Sequence, residues 1–257
     1  MRNYTCYRLD SRHNASVLLI TIMYHTSDSN KMKYGQVAGN CSINALIYRC
    51  FEYICEDDER KFVRKFHEQP HASDQIMHTF RELVLGAYLS SCGLKVRYDF
   101  AIDSETPDWC ILDDRSAVIG IVELTNFHID KATDNEIEKQ LWAKRSAVYW
   151  RDGNKNNVNR LHDCLRKKAD KYKPLIEKLG VPYVIAIFPE FRVAVDFEEE
   201  LGPCLVDENA GLFRRSELSG VLYFEEGGGK YSFRYAINSN AIRPLAIRNG
   251  SFSLEAI

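Results

Sequence analysis

Two acids stand inside a stretch that otherwise reads as paired strands, and they constrain the chain more than any other feature. The stretch is residues 106–128, TPDWCILDDRSAVIGIVELTNFH. Its second apolar run, residues 117–124, is rich in Val and Ile and too short for a helix, so it reads as a strand. Side chains alternate along a strand, so Glu123 and Thr125 share one face while Val122 and Leu124 share the other. Asp113-Asp114-Arg115-Ser116 supplies the residues of a hairpin turn between this run and WCIL. Pairing across that turn brings Asp108, which follows Pro107 at the mouth of the first run, near Glu123. Two carboxylates held together repel unless positive charge lies between them, and a divalent cation with oxygen ligands is the usual answer.

The flanks supply further charged residues in apolar settings. Residues 42–67 repeat Ile43, Leu46, Ile47, Cys50 and Ile54 at helical steps, which predicts one helix ended by Pro70. The spacing Cys50-x4-Cys55-x11-His67-x3-His71 approximates a zinc site, but a helical pattern leaves the two cysteines on different sides, so no zinc is expected. A second helix is expected from Ser73 or Asp74 to Gly93, a residue suited to end it. Its middle is apolar nearly all round and contains Glu82, which must be paired, metal-bound or neutral there. Arg81 and His78 are its candidate structural partners. Residues 95–102 alternate, with Val96, Tyr98, Phe100 and Ile102 on one face of a strand.

A further helix is expected from Asp134 or Asn135 to Trp150. Lys139, Lys144, Arg145 and Arg151 interleave there with Trp142, Tyr149 and Trp150, a combination that can contact phosphates and stack on bases, although an ordinary solvated face is the commoner meaning. From Val158 a long helix carries the stripe Leu161, Leu165, Tyr172, Ile176, with Lys168 in its middle. Pro174 kinks or restarts it and Gly180 ends it. The Lys168 stem points to the sheet, as a snorkelling side chain or as a cation serving the acids. Residues 182–188 read as a strand covered on both faces, and residues 220–224 and 231–235 as a hairpin around a glycine-rich turn.

Composition narrows the class. The 257 residues are 45% hydrophobic and 27% charged, as expected of a globular protein. A formal net charge of -2 gives no general affinity for nucleic acid, so any such binding needs a local patch. The early apolar run at residues 17–23 is too short to span a bilayer and lacks a cleavage site, which predicts no membrane partner and a cytoplasmic location. Eight scattered cysteines without CxxC pairs read as reduced thiols. Residues 1–40 say least and read as a mobile segment or an isolated strand.

Pro107-Asp108, a hairpin and then Glu123-x-Thr125 resemble the PD-(D/E)xK nuclease signature, with Thr125 where the lysine normally stands. The resemblance covers residues 74–190, and the tail from Ile237 to Leu245 also resembles the ending of bacterial proteins of this type. It implies an α/β fold with a restriction-endonuclease-like core of helix, three strands, helix and strand. To this are added an N-terminal, partly helical extension (residues 1–72) and a C-terminal β-hairpin within the domain of residues 73–257. It implies Mg²⁺ or Mn²⁺ held by Asp108, Glu123 and the Leu124 carbonyl, with Glu82 as a third acid binding a second ion directly or through water. Thr125 then positions water without charge, and Lys168 supplies the missing cation. The implied activity is metal-dependent phosphodiester hydrolysis of nucleic acid, with DNA the expected substrate and a homodimer left open. The alternative is an inactive member acting as a nucleic-acid-binding or regulatory module.

Overall fold

A seven-stranded mixed sheet divides the protein into two apolar layers. The computed structural model describes residues 7–8, 18–19, 37–38, 41–68, 73–144, 154–190, 193, 195–227 and 230–254. A two-residue antiparallel pair, β1 (Tyr7–Arg8) and β2 (Leu18–Leu19), stands apart from the main sheet. The sheet itself comprises β3 (Val96–Tyr98), β4 (Trp109–Leu112), β5 (Val118–Phe127), β6 (Tyr183–Pro189), β7 (Gly220–Gly227), β8 (Lys230–Ile237) and β9 (Gly250–Ser253), in that spatial order. β5, β6 and β7 run parallel, and every other neighbouring pair is antiparallel. The architecture is mixed α/β.

The helices are α1 (Cys41–Phe51), α2 (Glu56–Glu68), α3 (Ser73–Ser91), α4 (Lys131–Lys144), α5 (Asn154–Leu179) and the short α6 (Gly202–Val206). Alternation along the central strands sends their side chains into two separate layers. Trp109, Val122, Leu124, Val184 and Ala186 pack with α1, α2 and α3. Cys110, Ile121, Ile185 and Ile187 pack with α5, α6 and the turns after β6. All seven residues of β6 are buried, as a strand covered on both faces requires.

Several boundaries differ from the sequence pattern. The helix expected over residues 42–67 is two helices, broken at residues 52–55, where the Cys55 carbonyl accepts the Asp58 and Glu59 amides as α2 restarts. Four acids in the first turn of α2 favour a new helix start. The strand expected over residues 95–102 ends at Tyr98, because Asp99 takes a left-handed φ of 43° that a strand cannot hold. The cap of α4 is Asp130 rather than Asp134 or Asn135, with its carboxylate accepting from the Thr133 amide (3.0 Å) and hydroxyl (2.7 Å). α5 runs continuously through Pro174. Gly93 (φ 85°) does close α3, with the Leu94 amide donating to the Leu89 carbonyl.

The tail forms β9, a strand that local patterning did not reveal. His71, Arg145, Tyr149, Trp150, Arg151 and the tip of the β7–β8 turn lie outside the described residues. Among the described residues no helix is long and apolar enough to cross a membrane.

Candidate functional site

The β4–β5 register ends at Trp109 paired with Val122, so the next pair outward is Asp108 opposite Glu123. Each acid is held by the other's strand. The Asp108 amide donates to Glu123 Oε1 at 2.8 Å, and the Leu124 amide donates to Asp108 Oδ2 at 2.7 Å. Glu123 lies on the α5 side of the sheet and is 2% exposed. Lys168 reaches it from the middle of α5, with Nζ 3.0 Å from Glu123 Oε2 and 3.7 Å from Asp108 Oδ2. The same ammonium donates to the Leu124 carbonyl. Three oxygens, from two carboxylates and one backbone carbonyl, therefore converge on a single positive charge.

That charge is insufficient for the pair. Burial pushes the Glu123 carboxyl up, the neighbouring Asp108 charge adds to it, and Lys168 with the Asp108 amide offsets only part, leaving it at about 7. Burial also raises the Asp108 carboxyl, against the pull of Lys168. Two carboxylates and one ammonium sum to a net negative charge, which a further cation would relieve.

Tyr172, one turn beyond Lys168, also belongs here. The sequence stripe marks it as a core residue, and it is 3% exposed, yet its phenol lies close enough to Glu123 to feel that charge. The Lys171 ammonium lies 3.4 Å from that hydroxyl. Burial and the Glu123 charge hold the phenol far above its ordinary range, so it remains a neutral donor. The i, i+4 spacing of Lys168 and Tyr172 puts both on one side of α5, a relation visible in the sequence only once Glu123 is known to face that helix.

Thr125 shares the Glu123 face and is 6% exposed. Its hydroxyl is sealed from solvent with no hydrogen-bond partner among the described residues. No charge reaches the site from Thr125; it comes from Lys168.

Glu82 occupies a different setting, on the α3 side. The Trp109 indole donates to the Glu82 carbonyl at 2.9 Å, fixing that helix turn against β4. Gly86 makes this approach feasible, since a Cβ there would stand 1.9 Å from the Trp109 ring. The Glu82 carboxylate is already saturated. Oε2 accepts from Lys65 (2.8 Å) and the Tyr98 hydroxyl (2.6 Å), and Oε1 lies 2.9 Å from His78 Nε2. His78 Nδ1 in turn contacts the Asn126 amide. Burial pushes the Glu82 carboxyl up, but the His78 hydrogen bond and the Lys65 charge prevail and hold it at about 2. Arg81, considered above as a partner, lies instead over the Phe188 ring at 4.3 Å and reaches Asn126.

The structure thus brings Asp108, Glu123, the Leu124 carbonyl and Lys168 together, and leaves Glu82 engaged with residues of α2, α3 and β3. Among the described residues no three His, Cys, Asp or Glu side chains gather as a metal-holding group. The Asp108–Glu123 set still suits a hard cation, because its donors are all oxygen and they already surround one positive centre. Mg²⁺ takes one or two carboxylates and completes its shell with water or substrate phosphate. Cys50 is buried in α1 and Cys55 exposed beyond it, which does not make a zinc pair.

Comparison with family models, with curated proteins and with solved structures finds no match to this chain.

Proposed function

We propose that this chain is a metal-dependent phosphodiesterase acting on nucleic acid, with DNA the expected substrate, built on a restriction-endonuclease-like core whose lysine has moved to α5. The observation that carries the reading is the seating of Lys168 Nζ on Glu123, Asp108 and the Leu124 carbonyl. The order α3, β3, β4, β5, α4, α5, β6 supports it, since helix, three strands, helix and strand is the order of that core and α4 is an addition between β5 and α5. On this reading residues 1–72 extend the core, and α1 and α2 complete its apolar layer through Ile47, Phe51, Phe62 and Phe66.

Asp108, Glu123 and the Leu124 carbonyl would hold Mg²⁺ or Mn²⁺. Such an ion, when bound, would lower the pKa of a water on it and offset charge on the phosphoryl oxygens. The residues do the rest. Lys168, whose ammonium contacts the same three oxygens, would yield them to the ion and turn its positive charge to the phosphoryl oxygens of the transition state. Tyr172 stays a neutral phenol beside Glu123. Thr125, with its sealed hydroxyl, takes no part.

Plasmid DNA incubated with purified protein and Mg²⁺ or Mn²⁺ tests the reading. Nicking should appear, should vanish in Asp108→Ala and Glu123→Ala, and should fall by roughly a hundredfold in Lys168→Met. Unchanged cleavage in Lys168→Met removes the lysine from the mechanism. No cleavage of DNA or RNA at any metal concentration, with binding retained, identifies a non-catalytic binding module instead.

A further inference from the structure

We propose that one flank of α5, carrying Arg160, Lys167 and Lys171, is the track for the phosphate backbone of a nucleic-acid strand beside the Asp108–Glu123 pair; the class of partner rests on the function proposed above. These three residues and Lys178 follow one another at steps of seven, four and seven, so they share one side of the helix. Two contacts show which side this is. Lys178 Nζ lies 2.6 Å from Asp103 Oδ2, in the connection between β3 and β4. Lys168, three residues before Lys171, reaches Asp108 at the start of β4. The other flank faces the chain before β7, where Asp170 pairs with Arg215 and Lys173 with Glu217. The stripe therefore runs along the rim of the site, on the face of the sheet that carries Glu123.

The charges on this stripe are uncommitted. Elsewhere on α5, Arg166 pairs with Asp163, Lys173 with Glu177 and Lys178 with Asp103. Among the described residues no carboxylate lies within ion-pair distance of Arg160, Lys167 or Lys171. Arg160 donates to the Asn157 side chain and the His128 carbonyl and lies over the Phe127 ring, which fixes it at the end of β5. Lys171 Nζ stands 4.7 Å from the centre of the Tyr172 ring, beside the phenol that adjoins Glu123. Lys167 and Lys171 are exposed, so both keep ammonium donors for a ligand. Glu105, whose charge also reaches Tyr172, is one acid against three such cations. From Arg160 to Lys171 the helix rises about 16 Å, whereas the phosphates of one duplex strand stand about 3.4 Å apart along its axis. The stripe is thus long enough for several phosphates of a strand and too long for a lone phosphate. A backbone suits it because its anionic oxygens recur regularly irrespective of sequence.

The test is binding, read without catalysis. Anisotropy of a labelled duplex DNA oligonucleotide in EDTA is followed against salt concentration. The variant is Lys167→Met/Lys171→Met, which strands no acid, and its control is Arg166→Met/Lys173→Met, which removes the same charge from the other flank of α5. The first should bind many-fold more weakly, with the slope of log affinity against log salt reduced by about 2, while the control keeps the wild-type slope. Lys167→Arg/Lys171→Arg should keep it as well. A wild-type slope in Lys167→Met/Lys171→Met overturns the track while leaving the nuclease reading intact. An equal loss in the control also overturns it, because net charge and not this flank then governs binding. A wild-type protein with no affinity for DNA or RNA at low salt overturns both. Equal affinity for polyglutamate overturns the track in favour of an acidic protein partner.

Discussion

Two buried carboxylates, each in contact with a lysine from a neighbouring helix, behave in opposite ways in this protein. Glu82 receives Lys65, the Tyr98 hydroxyl and His78, and its carboxyl is driven down to about 2. Glu123 receives Lys168 and a backbone amide, yet its carboxyl is driven up to about 7. Burial is alike, 2% exposure in both. The difference is the second acid. Asp108 sits against Glu123 and shares its lysine, whereas Lys65 makes its ion pair with Glu82 alone among the described residues. A lysine contact therefore does not by itself satisfy a buried carboxylate; the count of charges around it decides. The satisfied acid reads as structural, the unsatisfied pair as a place where a cation is wanted.

The contrast is sharpest in stability. Glu82 has a folded-state pKa below its ordinary 4.5, so it stabilises the fold above about pH 4.5, and that contribution is lost as pH falls towards 2. Glu82→Gln should cost on the order of 3 kcal/mol at pH 7. Glu123 has a folded-state pKa above 4.5, so its ionisation works against the fold as pH rises from there through about 7. Glu123→Gln should therefore stabilise the protein by on the order of 2 kcal/mol at about pH 8.5, with the gain disappearing in acid. Urea titrations across this range check both. A change of the same sign in the two variants would break the distinction.

Gly86 sharpens the structural half of the comparison. Gly86→Ala forces a Cβ into the Trp109 ring and should cost about 1–3 kcal/mol while loosening the indole bond to the Glu82 carbonyl. Thermal unfolding measures the loss, and quenching of Trp109 fluorescence reports the shift. The smallest expected effect concerns the other half. Mn²⁺ affinity should rise by roughly tenfold per pH unit below about pH 7 and flatten above it, because the ion must displace the proton held by Glu123. Calorimetric titration at several pH values measures it. A flat profile would mean that the pair does not take the ion.

Local sequence carried much of the scaffold. The strand runs of β4 to β6, the turn between β4 and β5, and the glycines closing α3 and α5 all follow from patterns of a few neighbouring residues. The face of Glu123 follows from alternation, and the side of Lys168 from the helical stripe. What local sequence could not carry were partners distant along the chain. Lys65 lies 17 residues from Glu82, and Tyr98 lies 16. Neither has a periodic relation to it, so the saturation of Glu82 was invisible, as was the role of Tyr172, whose side chain fits an apolar stripe. Boundaries failed where a single competing interaction won, as at Asp99 and at Asp130.

The amino-acid sequence by itself determined the central strands, the long helices α3 and α5, and the side of each that carries Glu123 and Lys168, because alternation and helical periodicity are properties of neighbouring residues. Only the tertiary structure decided which acid is neutralised. That outcome depends on distances of a few ångströms between side chains from separate helices and strands, and charge interactions in a buried setting change steeply over such distances.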